Sequence, residues 1–164
     1  GLALFYCTEA IRDQLQLHEY GWHMVENPGD FDQPDWTPAA SARRFECGSP
    51  NMTAVAALNA SLDVLFEVGL EQVEARVLEN ATYLFDALNT MEDIALLTRA
   101  DISQRAGIVT FTTTNTSTEA LYKYLQQQGV ICAFRGDGVR LSPHFHTTKQ
   151  ELKKTLDLVT NYTF

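Results

Sequence analysis

Two short segments carry the residue types that could hold a charged small molecule. The first is Arg44-Phe-Glu-Cys-Gly-Ser-Pro-Asn51, which runs into a helical pattern beginning near Thr53. Gly48 and Ser49 offer backbone N–H groups, a hydroxyl and proximity to the positive end of a helix dipole, the elements of a phosphate or carboxylate site. A Gly-Ser-Pro stretch before a helix also serves simply as a turn and cap.

The second segment is Gly138-Val-Arg-Leu-Ser-Pro-His-Phe-His-Thr147. Strand alternation places Val139 and Leu141 on one face and Arg140 and Ser142 on the other. An arginine projecting from a strand can grip a carboxylate through two parallel hydrogen bonds. A solvent-facing or salt-bridged arginine satisfies the same spacing. His144 and His146 share one side of an extended stretch, but no third ligand follows in pattern. A structural or surface role therefore fits them better than a metal, and no metal site is predicted.

The cysteines Cys7, Cys47 and Cys132 are odd in number and widely spaced, without a Cys-x-x-Cys pair. Reduced thiols in a cytoplasmic protein are the reading this favours. Cys132 lies in the apolar run Val130–Phe134, which suits a buried structural thiol better than a nucleophile. The lysines are Lys123, Lys149, Lys153 and Lys154, all on polar faces of predicted helices, where they read as solvated charges.

These segments need elements to position them. Residues 2–6 are an apolar run that reads as a buried strand, and Thr8 can cap a short helix through Leu17. From Tyr20 to Ala42 periodicity vanishes into turn chemistry, yet Trp22, Phe31 and Trp36 are too apolar for a solvated linker. A long irregular loop of this kind is expected to pack and to carry function. Thr53–Val68 is apolar around much of its circumference, so burial on several sides is expected. Gly69 is a stop. Glu71–Leu88 is an amphipathic helix with Val73, Val77, Ala81, Leu84 and Leu88 as its stripe.

The period then changes. Ile94–Leu97 and Gly107–Thr113 read as strands, Ser117–Gln128 as a capped helix, and Val130–Phe134 and Val139–Ser142 as two strands of a hairpin closed at Asp137-Gly138. Thr148–Tyr162 is a final amphipathic helix. The order predicts an α+β fold: a small, mostly antiparallel sheet with helices packed on one face.

Composition bounds the function. At 164 residues, 45% hydrophobic and 20% charged, the chain matches an ordinary globular domain. A net charge of −9 argues against a nucleic-acid partner. No apolar run approaches the roughly 20 residues of a membrane span. The opening Gly1–Cys7 has no basic flank and does not read as a signal peptide, and the absent initiating methionine suggests a piece of a longer protein. The triplets Asn51-Met-Thr53 and Asn80-Ala-Thr82 read as chance glycosylation matches.

Together the two segments resemble a known family. Arg-Phe-Glu-x-Gly-Ser-Pro-Asn is similar to a stretch with Gly-Thr-Pro-Asn in class V aminotransferases and cysteine desulfurases, which are fold-type I enzymes that use pyridoxal 5'-phosphate (PLP). About ninety residues on, Val-Arg-Leu-Ser-Pro-His-Phe-His-Thr resembles the family's Arg-x-Ser-x-x-x-Tyr-Asn-Thr element. Gly1-Leu-Ala-Leu-Phe-Tyr looks like the strand that follows the PLP-lysine turn.

The resemblance implies that Gly48 and Ser49 reach the PLP phosphate of a neighbouring subunit in a homodimer, and that Arg140 binds the α-carboxylate of an amino-acid substrate. Ser49 keeps the hydroxyl of the family's threonine; His146 departs from the family pattern. No lysine here is a credible Schiff-base lysine, which the resemblance places just upstream of residue 1. The expectation is a C-terminal fragment, inactive alone, with residues 1–51 a remnant of the large PLP-binding domain and 52–164 the small C-terminal domain. The turn between Cys132 and Arg140 is too short for a desulfurase nucleophile loop, so epimerase, lyase or transaminase chemistry is favoured over desulfuration. The rival expectation is a non-catalytic α+β interaction or dimerisation module.

Overall fold

The computed structural model describes residues 2–162 and divides into two units, 1–64 and 65–164. In the second unit a four-stranded antiparallel sheet runs in the order β1-β2-β4-β3, with β1 at Ile94–Leu96, β2 at Val109–Thr113, β3 at Ala133–Arg135 and β4 at Gly138–Leu141. Alternation in β2 buries Val109, Phe111 and Thr113 and leaves Thr110 and Thr112 half-buried, while Val139 and Leu141 of β4 enter the same core. Three helices complete that core: α3 (Leu70–Asn89), α4 (Thr118–Gln127) and α5 (Lys149–Thr160). Their inward residues include Leu84, Leu88, Leu121, Leu125, Leu156 and Val159, and α5 packs on both α3 and α4.

Local chemistry sets where these elements begin. The Ser117 hydroxyl accepts from the Ala120 N–H to cap α4. Thr148 and Glu151 form a reciprocal capping box at α5, which satisfies two otherwise orphaned N–H groups. The α+β layer expected from the sequence is therefore present.

Three details of this unit differ from expectation. β3 begins only at Ala133; Val130–Cys132 lie outside the ladder, and the Ile131 side chain is fully exposed. The hairpin turns at Gly136-Asp137, one residue earlier than the Asp-Gly pair suggested. Both turn residues have positive φ (55° and 61°), as a two-residue turn that follows the strand twist requires. Ala120 faces solvent, leaving Leu121 and Leu125 to carry the buried face of α4.

The first unit is built differently. Residues 2–6 form no strand: Leu4 is 80% and Tyr6 86% exposed. A strand exists only as part of a ladder, and no described residue pairs with this run. The helix capped by Thr8 is a single turn, α1 at Glu9–Arg12, and Thr8 makes no side-chain cap bond. Helix α2 spans Met52–Val68, but none of its residues is buried, contrary to the expectation for so apolar a sequence. Its cap is Asn51, whose side-chain oxygen accepts from the Ala54 N–H at 3.0 Å.

The irregular stretch from Tyr20 to Ala42 is a loop with a cross-linked neck. Val25 bridges Pro38, Glu26 N–H donates to Thr37 O and Ala39 N–H to Met24 O. Arg43 clamps the neck from outside, donating to the carbonyls of Val25 and Glu26 at 3.0 and 2.9 Å. Met24 and Ala39 are the buried hydrophobic residues of this unit among those described.

No single helix among the described residues is long and apolar enough to cross a membrane.

Candidate functional site

Arg140 sits on β4, an interior strand, where its register partners are Thr110 on β2 and Ala133 on β3. Directly paired residues project from the same face, so the guanidinium rises between two small side chains, on the sheet face opposite Val139 and Leu141. Its Nε is buried and finds no hydrogen-bond partner, and the chain offers it no ion pair among the described residues. A buried N–H on a charged group without an acceptor costs on the order of 1–3 kcal/mol. The salt-bridged alternative for Arg140 is therefore absent among the described residues. An anionic group arriving from outside would satisfy that donor.

The segment after β4 is held by a residue the motif reading missed. Asn80 on α3 is 3% exposed and donates both amide hydrogens, to the carbonyls of His144 (3.1 Å) and Thr147 (3.0 Å). The His144 N–H donates to the Thr147 hydroxyl at 3.0 Å. The signal for Asn80 in the sequence is a polar residue inside the apolar stripe of α3. Burial of Asn80 makes it unavailable as an acceptor in the folded unit.

His144 and His146 are exposed, and their rings lie 5.5 Å apart. Among the described residues no group of three or more His, Cys, Asp or Glu could hold a metal ion. A cavity of about 500 Å3 opens beside this segment, bordered by Ser142, His146, Glu151 and Lys154. Arg140 does not line it. Volume alone does not make it the reactive site; Arg12, Arg43 and Arg105 also hold a buried, unpartnered Nε, and Arg140 differs from them in standing on an interior strand of the sheet.

Gly48 and Ser49 belong to the first unit and Arg140 to the second. Both members of the pair are exposed, and a Cβ built on Gly48 would meet nothing within 4 Å. The Ser49 hydroxyl has no hydrogen-bond partner among the described residues, and Asn51 rather than Ser49 caps α2. Glycine, free hydroxyl and open space are what an anion approaching the backbone from outside needs.

The lysines behave as solvated charges. Lys123 pairs with Glu119 at 2.7 Å and Lys149 with Glu79 at 3.2 Å, both pairs well exposed, and each lysine holds its carboxylate partner below the usual range. Lys153 and Lys154 face solvent on α5. Cys132 is half-buried against the core, and burial pushes its thiol up, away from the thiolate a nucleophile needs.

Residues 1–154 match the family described as Aminotransferase class-V, and the chain belongs to that family. An uncharacterized aminotransferase YcbU of Bacillus subtilis is 30% identical over 96% of this chain and 40% of its own length. A probable cysteine desulfurase of Halalkalibacterium halodurans is 27% identical over 96% of this chain and 35% of its own length. The chain thus spans well under half the length of these curated relatives. A solved structure described as the cystine C-S lyase C-DES with its product cysteine persulfide superposes with TM-score 0.81 at 19% identity, covering 97% of this chain and 42% of that one. A mutant of C-DES, whose structure has glycine covalently linked to PLP, superposes with TM-score 0.80 at 19% identity, covering 96% of this chain and 41% of that one.

Proposed function

We propose that this chain is the C-terminal part of a PLP-dependent class V aminotransferase-type enzyme acting on an amino acid. The observation that carries the reading is the buried, unpartnered Nε of Arg140 on an interior strand of a chain in this family. A bidentate carboxylate satisfies that donor and orients an α-amino acid by its fixed end. Gly48 and Ser49 receive the cofactor phosphate in trans, as donors from one subunit of a homodimer to its partner. PLP, when bound, supplies the electron sink for amino-acid chemistry.

Residues 1–51 belong to the large domain and 52–164 to the small one. The cofactor-bearing lysine comes from outside these residues, which leaves the chain inactive alone. The exposed, ion-paired state of Lys123 and Lys149 supports this. Epimerase, lyase or transaminase chemistry fits better than desulfuration. The raised Cys132 thiol and the two-residue turn between β3 and β4 leave no mobile nucleophile ahead of Arg140. The thiol spacing fits a cytoplasmic enzyme.

The test uses the full-length protein. Arg140→Lys keeps the charge but loses the two-pronged grip, and KM for the amino acid should rise roughly 30-fold with a smaller change in kcat. An unchanged KM would overturn the assignment. In parallel, the 164-residue chain mixed with PLP should show no visible absorbance band that survives dialysis. A stable band would refute the proposed need for an outside lysine and place cofactor attachment within this chain.

A further inference from the structure

A second arginine of the unit 65–164 stands outside the segments that carry the proposed function. Arg105, between the short 3-10 turn Ile102–Gln104 and β2, borders a cavity of about 90 Å3. Leu78, Ala81 and Thr82 of α3 line one side, and Ile102, Ile108 and Val109 line the other. Ala81 and Val109 belong to the packed core, so the cavity has a firm floor.

Local packing holds the arginine in place. A Cβ on Gly107 would lie 2.4 Å from a Val77 methyl carbon, so glycine lets this stretch close onto α3. The Arg105 guanidinium stacks on Phe85, with Cζ 4.0 Å from the ring centroid, and Phe85 is itself buried. Stacking occupies the flat face of the guanidinium. Its N–H groups remain in the plane of the fork, the geometry that matches a planar oxyanion.

Those N–H groups are unanswered. Nε and Nη1 of Arg105 are both buried without an acceptor, and the side chain has no ion pair among the described residues. Arg12 and Arg43 each leave Nε unpaired but spend another nitrogen on a carboxylate or on carbonyls. Asp101 feels the Arg105 charge, yet its carboxylate accepts from Ser103 and Gln104 instead. Thr82 is the other polar residue in the cavity wall. A permanent cation between apolar walls favours an anion over a neutral group. About 90 Å3 is roughly three times the share of one liquid water, room for a carboxylate head on a short stem.

We propose that Arg105, backed by Phe85, is a carboxylate receptor. Its occupant is either a free short-chain acid or an aspartate or glutamate side chain from a segment beyond these 164 residues. The proposal does not rest on the PLP reading.

The test follows the Arg105 Nε–H resonance by heteronuclear NMR, assigned through its bonds to the Arg105 backbone, and needs no substitution. In the 164-residue chain at constant ionic strength, acetate should shift this resonance saturably. Acetamide, the neutral isostere, should bind about tenfold more weakly. The full-length protein separates the two sources. A resonance already at the acetate-bound position without acetate identifies an internal carboxylate, and one that still moves with acetate identifies a free acid. No saturable shift in the chain, or equal affinity for acetate and acetamide, would overturn the proposal. So would a full-length resonance that stays at the free position whatever the acetate concentration. Arg140 has its own Nε–H resonance, so either arginine's assignment can fail while the other stands.

Discussion

The two units differ in how they use nearly the same supply of apolar residues. In 65–164, thirteen core residues from three helices and two strands close around one another, and polar caps finish the ends. In 1–64, Met24 and Ala39 are buried, while Leu2, Leu4, Phe5, Tyr6, Trp22, Phe31 and Trp36 remain exposed. Hydrophobicity was equally available to both; complementary partners were not. A helix or strand buries its apolar side only against another element within reach, and the second unit contains those elements while the first unit, as described, does not.

The sharpest way to break this contrast is to remove one large side chain from each unit. Phe111→Ala deletes a ring with no exposure from the middle of the sheet and should destabilise the second unit by about 3–5 kcal/mol, read from urea unfolding. Leu4→Ser removes an equally apolar side chain at an exposed site and should change stability by less than about 0.5 kcal/mol. Similar losses from both would end the comparison.

Asn80→Ala probes the polar exception inside the stronger unit. It leaves two carbonyls without their donor and should cost roughly 2 kcal/mol, with faster amide exchange at Thr147 as the local sign.

Thr148→Ala has the smallest expected effect of the substitutions in the second unit, about 1 kcal/mol from the lost cap. It also has a pH signature. The backbone N–H and hydroxyl of Thr148 hold the Glu151 carboxyl below the usual range. A lowered folded pKa gives stabilisation that is complete above the unfolded value and fades as pH falls through the folded one. The wild type should therefore lose this increment as pH falls below the ordinary glutamate range, and the variant, which keeps the backbone N–H donor but lacks the hydroxyl, should show a smaller loss, measured as midpoint against pH.

Legibility followed the same divide. The β2 pattern gave its own burial because every second residue meets the helices, and the same alternation put Arg140 on the face opposite the core. The extents of α3, α4 and α5 followed from stripes and caps in the sequence. By contrast, residues 2–6 and α2 read as buried because an apolar run reports what could be covered, not whether a cover is present. The turn at Gly136-Asp137 was displaced by one residue because the dipeptide signal does not specify which pair must reach positive φ. Asn80 was missed since its two acceptors lie more than sixty residues away. The aromatic loop reads as one that packs, yet Trp22, Phe31 and Trp36 remain exposed, and the close approach of Gly21 to the Cys47 carbonyl is one that no periodicity encodes.

The position of β4 inside the sheet, with β2 on one side and β3 on the other, separates two kinds of evolutionary freedom. Thr110 on β2 holds the register of Arg140 without help from the connection that precedes it. The Gly136-Asp137 link can then be lengthened, or made to carry a new reactive side chain, while the guanidinium stays where it is. A chain wired this way can vary its hairpin while the guanidinium of Arg140 keeps its place in the sheet.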